Sequence, residues 1–176
     1  VALKFLPTDV DKDPARLTQL HTEVRMARQV SHPNVCRVYD IDEVDGHTFI
    51  SMEYVDGEDF ASLLRRIGRF PEDRALTISH QVCVGLAAIH ERGVMHRDLK
   101  PANVMIERNS TVKVLDFGLA KMNKTILLAD TTQLSSDIAT QAGVIMGTVP
   151  YMSPEQIQGR AVYQRTDIFF LGVILY

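Results

Sequence analysis

Apolar positions recur with two different periods along this chain, and the change of period divides it. Val1 to Leu6 is an apolar run broken by Lys4 and closed by Pro7, which predicts a strand. Residues 14–30 switch to a helical period, with Leu17, Leu20, Val24 and Ala27 on one face. Val35–Ile41 and His47–Val55 predict two strands joined by a turn at Asp45-Gly46. Gly57 marks a break. Beyond it the pattern predicts helices over Phe60–Ile67 and Pro71–Arg92, the second with Ala75, Ile78, Val82, Leu86 and Ile89 on one face. Pro71 and Glu72 suit its first turn, and Gly93 suits its C-terminal end. Val104–Ile106 and Val112–Leu115 suit a small hairpin, and a last apolar helix is expected from near Thr166. Met122–Gly143, rich in Thr, Ser and Gln, has no period and predicts a long exposed loop. A strand-rich first third, a Gly-containing connector and a helical remainder imply an α+β chain in two lobes.

Composition narrows the function classes. The chain has 176 residues, 45% hydrophobic and 23% charged, in the range of a soluble globular domain. A net charge of −3 gives no support for nucleic-acid binding. No apolar run approaches the roughly 18 residues of a membrane span. Cys36 and Cys83 are set among apolar residues and are expected to be free thiols in a reducing compartment. The chain opens on Val1, without a signal peptide, and stops inside the apolar stretch 169–176, so it is expected to be a piece of a longer protein.

The chemistry-bearing residues cluster in loops between hydrophobic elements. His96-Arg97-Asp98-Leu99-Lys100-Pro101-Ala102-Asn103 lies between a long helix and a strand, and Asp116-Phe117-Gly118 ends the next strand. Phosphoryl transfer from a nucleoside triphosphate needs such parts: oxygen ligands for a divalent cation, a cation for the phosphates, and a carboxylate to orient the attacking hydroxyl.

In order and spacing these motifs resemble those of the protein kinases, and the resemblance runs the length of the chain. It implies ATP and Mg²⁺ as cofactors, with Asp98 as catalytic base and Asn103 and Asp116 holding the metal. Lys100 would contact the γ-phosphate. Lys4, in Val1-Ala2-Leu3-Lys4, would hold the α/β-phosphates, and Glu23 matches the acidic partner of that lysine. Phe49–Val55 resembles the strand and hinge that hold adenine. Met52 would stand at the back of the pocket, with the Glu53 carbonyl and the Val55 amide on the adenine edge and Ala2 and Met105 on its two faces. Asp59 occupies a position that contacts ribose or substrate in the family, or it caps the following helix.

Lys100 and Thr148, the latter before Ser153-Pro154-Glu155, follow the serine/threonine pattern, and the wording of several motifs is similar to bacterial members. Ser153 stands where the family usually has Ala. The resemblance implies protein substrates with Ser or Thr acceptors and a cytoplasmic domain. It also implies regulation in which Arg97 and Lys121 bind a phosphate on the activation loop, with Thr140 the favoured acceptor. Residues 1–52 would be an N-lobe lacking the glycine-rich loop, 53–57 the hinge, and 58–176 a C-lobe ending in its central helix. Such a fragment is expected to be weakly active or inactive. A pseudokinase scaffold and a small-molecule kinase are the competing readings; Lys4, Asp98 and Asp116, which pseudokinases usually lose, are all present.

Overall fold

The computed structural model describes residues 1–7, 14–117, 151–158 and 160–175. The segment 118–150 includes the expected loop, its Ile126-Leu127-Leu128 patch, Lys121, Thr140 and Thr148; those expectations lie outside the described residues.

Two small antiparallel sheets and two groups of helices make up an α+β, two-lobed molecule. In the first lobe β1 (Ala2–Phe5), β2 (Val38–Val44) and β3 (His47–Met52) form a sheet in the order β1-β3-β2, with α1 (Pro14–Ala27) packed against it. The β2–β3 turn is made by Asp45 and Gly46, both at positive φ, as the Asp-Gly pair predicts. In the second lobe β4 (Gly57–Asp59), β5 (Val104–Glu107) and β6 (Val112–Val114) pair in sequence order. Around them lie α2 (Phe60–Ile67), α3 (Glu72–Glu91), the short α4 (Pro154–Ile157) and α5 (Gln164–Leu175).

Each buried stripe follows from the sequence period. Helix α1 buries Leu20, Val24 and Ala27, and α3 buries Ile78, Val82, Leu86 and Ile89. The β5–β6 hairpin sets Val104, Ile106, Val112 and Val114 into the same core, together with Phe117, Phe170 and Leu171. Glu72 and Asp73 suit the positive N-terminal end of α3, and Gly93, at φ 70°, ends it through a bond from its amide to the His90 carbonyl.

Three boundaries depart from the sequence reading. The strand expected over Val35–Ile41 starts at Val38 instead. Val35 bridges β6 at Val114, and Cys36 donates its amide to the Val114 carbonyl at 2.9 Å. Residues 34–36 therefore fasten the first lobe to the second, with Val35 and Cys36 both buried. The strand expected to reach Val55 ends at Met52, and 53–56 form the passage between the two sheets. Gly57 begins a strand, because a Cβ there would collide with the Ile106 carbonyl of β5, and glycine lets the two backbones meet.

Gly85 has the same duty at the lobe junction. A Cβ at this position would lie 2.7 Å from the Asn34 carbonyl oxygen, whose acceptor role to Val114 fixes the 34–36 segment. Gly85→Ala should therefore destabilise the protein by about 1–3 kcal/mol. Urea unfolding checks this, and a loss under about 0.5 kcal/mol would show that the junction yields.

Candidate active site

A loop expected to carry catalytic side chains must be held by something outside itself, and here a buried carboxylate holds it. Asp167, fully buried on α5, accepts the His96 amide on Oδ2 at 2.9 Å and the Arg97 amide on Oδ1 at 2.8 Å. His90 Nε2 of α3 lies 2.7 Å from the same Oδ2. Burial works to raise the Asp167 pKa, but the bonds from His90, Arg97 and His96 outweigh it and hold the carboxyl below its ordinary value. The grip is needed because Arg97 sits at φ 69°, a left-handed conformation that costs a non-glycine residue about 1–3 kcal/mol.

A second tie closes the loop from the opposite side. Ser153 caps α4 and exchanges bonds with Gln156 in a capping box, and Gln156 Nε2 then donates to the Arg97 carbonyl at 2.9 Å. The serine that departs from the family's usual alanine is thus fully buried and sets the angle of Gln156. His96, also fully buried, accepts the Asp98 amide on Nδ1 at 3.3 Å. Desolvation pushes its pKa below 6.5, so the ring is neutral.

On this frame the charged groups converge. Lys100 Nζ donates to Asp98 Oδ2 at 2.8 Å. Asn103 Nδ2 donates to the Asp98 carbonyl at 2.8 Å and lies 3.4 Å from Asp98 Oδ2. The Leu115 amide donates to the Asn103 carbonyl at 2.8 Å, and the next residue, Asp116, takes φ 56°. Its Oδ2 accepts from Lys4 Nζ at 2.7 Å across 112 residues of sequence. A cation thus already sits against Asp116, and a carboxylate with an amide oxygen nearby is a donor set that fits a hard, oxygen-seeking ion such as Mg²⁺. The Lys4–Asp116 pair, with side chains 41% and 28% exposed, holds by about 1 kcal/mol or less, so it can open for a ligand.

Among the described ion pairs Glu23 is matched with Arg97 and Lys4 with Asp116. Glu23 Oε1 lies 3.7 Å from Arg97 Nη1 and accepts from Gln19 Nε2 at 3.1 Å. Glu23 and its α1 neighbours Gln19, Thr22 and Met26 line one space with Gly93, Val94, Met95 and Arg97.

The residues expected to hold adenine lie on β1, β3 and β5 and in the passage between the two sheets. Ala2 faces Met52 across β1 and β3, and Met105 lies on β5, paired with Asp59 of β4. Glu53 and Val55 lie in the passage between the sheets. Asp59 turns out to cap α2, its Oδ1 accepting the Ser62 amide at 2.8 Å, so the capping alternative is the one the structure supports. Phe170 is 1% exposed and part of the core.

Three residues near the site escape sequence reasoning. Gln156 and Lys113 act through partners remote in sequence, and no local signal marks them. Cys36 Sγ lies 3.6 Å from the Glu53 carbonyl oxygen, and burial, with the Glu53 carboxylate adding to it, pushes the thiol up to about 12. It is a neutral donor against the hinge.

Comparison with known proteins agrees with this geometry. The model of the protein kinase domain matches residues 1–176. PknA, named a serine/threonine-protein kinase, from Corynebacterium glutamicum is 40% identical over 181 residues, covering 100% of this chain and 36% of the relative. The serine/threonine-protein kinase PknB of Mycobacterium leprae is 37% identical over 180 residues, covering 100% of this chain and 27% of the relative. The chain thus spans about a third of the length of these relatives. The crystal structure of the Mycobacterium tuberculosis PknI kinase domain superposes with a TM-score of 0.72 at 28% identity, covering 98% of this chain and 60% of that one.

Asp167 and His96 make the loop's stability measurable. Asp167→Asn, which leaves one backbone amide facing an NH₂ group, should cost about 2–4 kcal/mol in thermal or chemical unfolding; a neutral result would show that the loop is held elsewhere. For His96, the folded-state pKa is depressed, so the unfolded chain binds a proton that the folded one refuses. Its contribution is present above pH 6.5 and is lost as pH falls below that value, by at most about 1.4 kcal/mol per pH unit for one proton. Unfolding midpoints taken between pH 7.5 and 5.5 should fall less steeply in His96→Asn than in the wild type.

Proposed function

The chain belongs to the protein kinase family, and from that premise we propose that it carries the catalytic centre of an ATP-dependent serine/threonine protein kinase. One observation carries the reading: Lys4 and Asp116, 112 positions apart, meet at 2.7 Å beside the loop that bears Asp98, Lys100 and Asn103. Those five side chains are the set that phosphoryl transfer between ATP and a hydroxyl requires.

Asn103 and Asp116 would hold Mg²⁺, which supplies charge neutralisation on the phosphates when bound. Lys4, leaving Asp116, would take the α/β-phosphates. Asp98 orients the acceptor's Ser or Thr hydroxyl, and the proton of that hydroxyl passes to a carboxylate oxygen as attack proceeds. Lys100, 2.8 Å from Asp98, sets a positive charge beside the base, where the attacking oxygen and the transferring group would meet. Ala2, Met52 and Met105 would enclose adenine, whose edge would meet the Glu53 carbonyl and the Val55 amide. The division into an N-lobe over 1–52, a hinge over 53–57 and a C-lobe over 58–176 belongs to the same proposal. So does a cytoplasmic site of action, and among the described residues no helix is long and apolar enough to cross a membrane. Within residues 1–176 no glycine-rich loop precedes Lys4, and this stretch alone is expected to transfer phosphoryl groups weakly or not at all.

Regulation follows from the partners of Arg97. In the family the lysine of β1 must pair with the glutamate of the following helix for activity, whereas Glu23 here faces Arg97. A phosphate on Thr140, bound by Arg97 and Lys121, would compete for that guanidinium and release Glu23 toward Lys4.

Two measurements test these readings on the complete natural protein. With γ-labelled ATP and a generic basic protein, Asp98→Asn should lower transfer by about 10²–10⁴-fold while nucleotide affinity holds. Transfer unaffected by the substitution removes Asp98 as base, and label appearing in small molecules alone points to a different kinase class. Mass-spectrometric mapping after incubation with ATP should find phosphate at Thr140, and Thr140→Ala should lower the rate. No phosphosite between 125 and 145 would end the regulatory reading.

A further inference from the structure

The passage from β3 to β4 has no ladder of its own over residues 53–56, yet the kinase reading asks it to present one backbone carbonyl at a fixed angle. Something must remove its torsional freedom. Arg37 and Lys113 hold Glu53 from two sides, and its carbonyl oxygen takes a long contact from Cys36 Sγ at 3.6 Å. The Glu53 amide donates to the Arg37 carbonyl at 2.8 Å, and the Arg37 amide returns a bond to Glu53 Oε2 at 3.1 Å. The other carboxylate oxygen, Oε1, accepts from Lys113 Nζ at 2.6 Å. Lys113 stands in the middle of β6, between the fully buried Val112 and Val114, directly across from Met105 in the strand register. Its side chain is 11% exposed, and Glu53 is its one charged partner among the described residues. A cation so far removed from water is costly unless a specific carboxylate repays it. Nothing in the phosphoryl-transfer chemistry uses it.

We propose that Lys113 is a positioning residue for adenine recognition, holding the Glu53 carboxylate so that the Glu53 backbone carbonyl points into the nucleotide cleft. The inference rests on the kinase reading above and adds to it a determinant of base selectivity. Adenine offers an amino donor at its sixth position, whereas guanine offers an acceptor there. A carbonyl fixed in place rewards the first and repels the second. A hinge free to turn loses the reward and relaxes the repulsion. Lys113 therefore acts on which base is bound and leaves the transfer step alone. Its placement across from Met105 lets one hairpin set both the floor of the adenine slot and its hydrogen-bonding edge.

The test uses the complete natural protein and two probes, Mg·ATP and Mg·GTP, with dissociation constants and steady-state kinetics measured for each. Lys113→Met keeps the length and the apolar stem and deletes the charge. It should weaken ATP binding about tenfold, the effect of one lost charge-assisted contact. GTP binding should change by less than about threefold and kcat by less than about twofold. Lys113→Arg should recover most of the ATP affinity. If Lys113→Met folds poorly, Glu53→Gln combined with it removes the stranded carboxylate, and the ATP-over-GTP preference of that double variant should still be reduced. Equal weakening of both nucleotides, or an unchanged preference in a folded variant, overturns the proposal and leaves Lys113 a stabilising residue. Wild-type protein that binds neither nucleotide overturns the kinase reading itself, an outcome distinct from the first.

Discussion

A carboxylate with no access to water holds the centre of this molecule. Asp167 reaches from α5 to two successive amides of the catalytic loop and to His90 of α3, so one side chain joins two helices and a loop about 70 residues earlier in sequence. Phe170 and Leu171, on the next turn of α5, anchor that helix in the main core, so the position of the carboxylate is inherited from apolar packing. Arg97 can keep its left-handed backbone because both its amide and its carbonyl are taken, by Asp167 and by Gln156. The orientation of Asp98, one residue on, follows from that.

The ionic contacts differ in burial. Lys4–Asp116 is the pair more open to solvent, where such a contact is worth about 1 kcal/mol or less. It is suited to exchange partners with a charged ligand. Asp167 is fully shielded from water, and losing its partners strands a charge in a poor medium; Lys100–Asp98 and Lys113–Glu53 are both partly buried, to similar extents. Glu23 and Arg97, about as buried as those two pairs, lie 3.7 Å apart and are poorly placed for a strong bond.

The elements themselves were legible because each announces itself locally. Leu20, Val24 and Ala27 recur at helical spacing, Asp45-Gly46 is turn chemistry, and Gly93 is a helix terminator. The loop residues Asp98, Lys100 and Asn103 were legible for a similar reason: they lie within six positions of one another, and their spacing carries the chemistry. Val35 and Cys36 were misplaced because an apolar pair before a strand has the same local pattern whichever sheet it joins.

What the sequence alone determined was an inventory: two lobes, their helices and strands, and the residue types of a phosphoryl-transfer site in the family's order. Tertiary structure decided who meets whom. It put Lys4 on Asp116 and Glu23 on Arg97, gave Asp59 to a helix cap, and brought Lys113 to Glu53. The physical reason is range. Periodicity, capping and turn preference act over a few residues. The pairing of charges depends on how helices and sheets come to rest against a shared core, and no short stretch of sequence contains that.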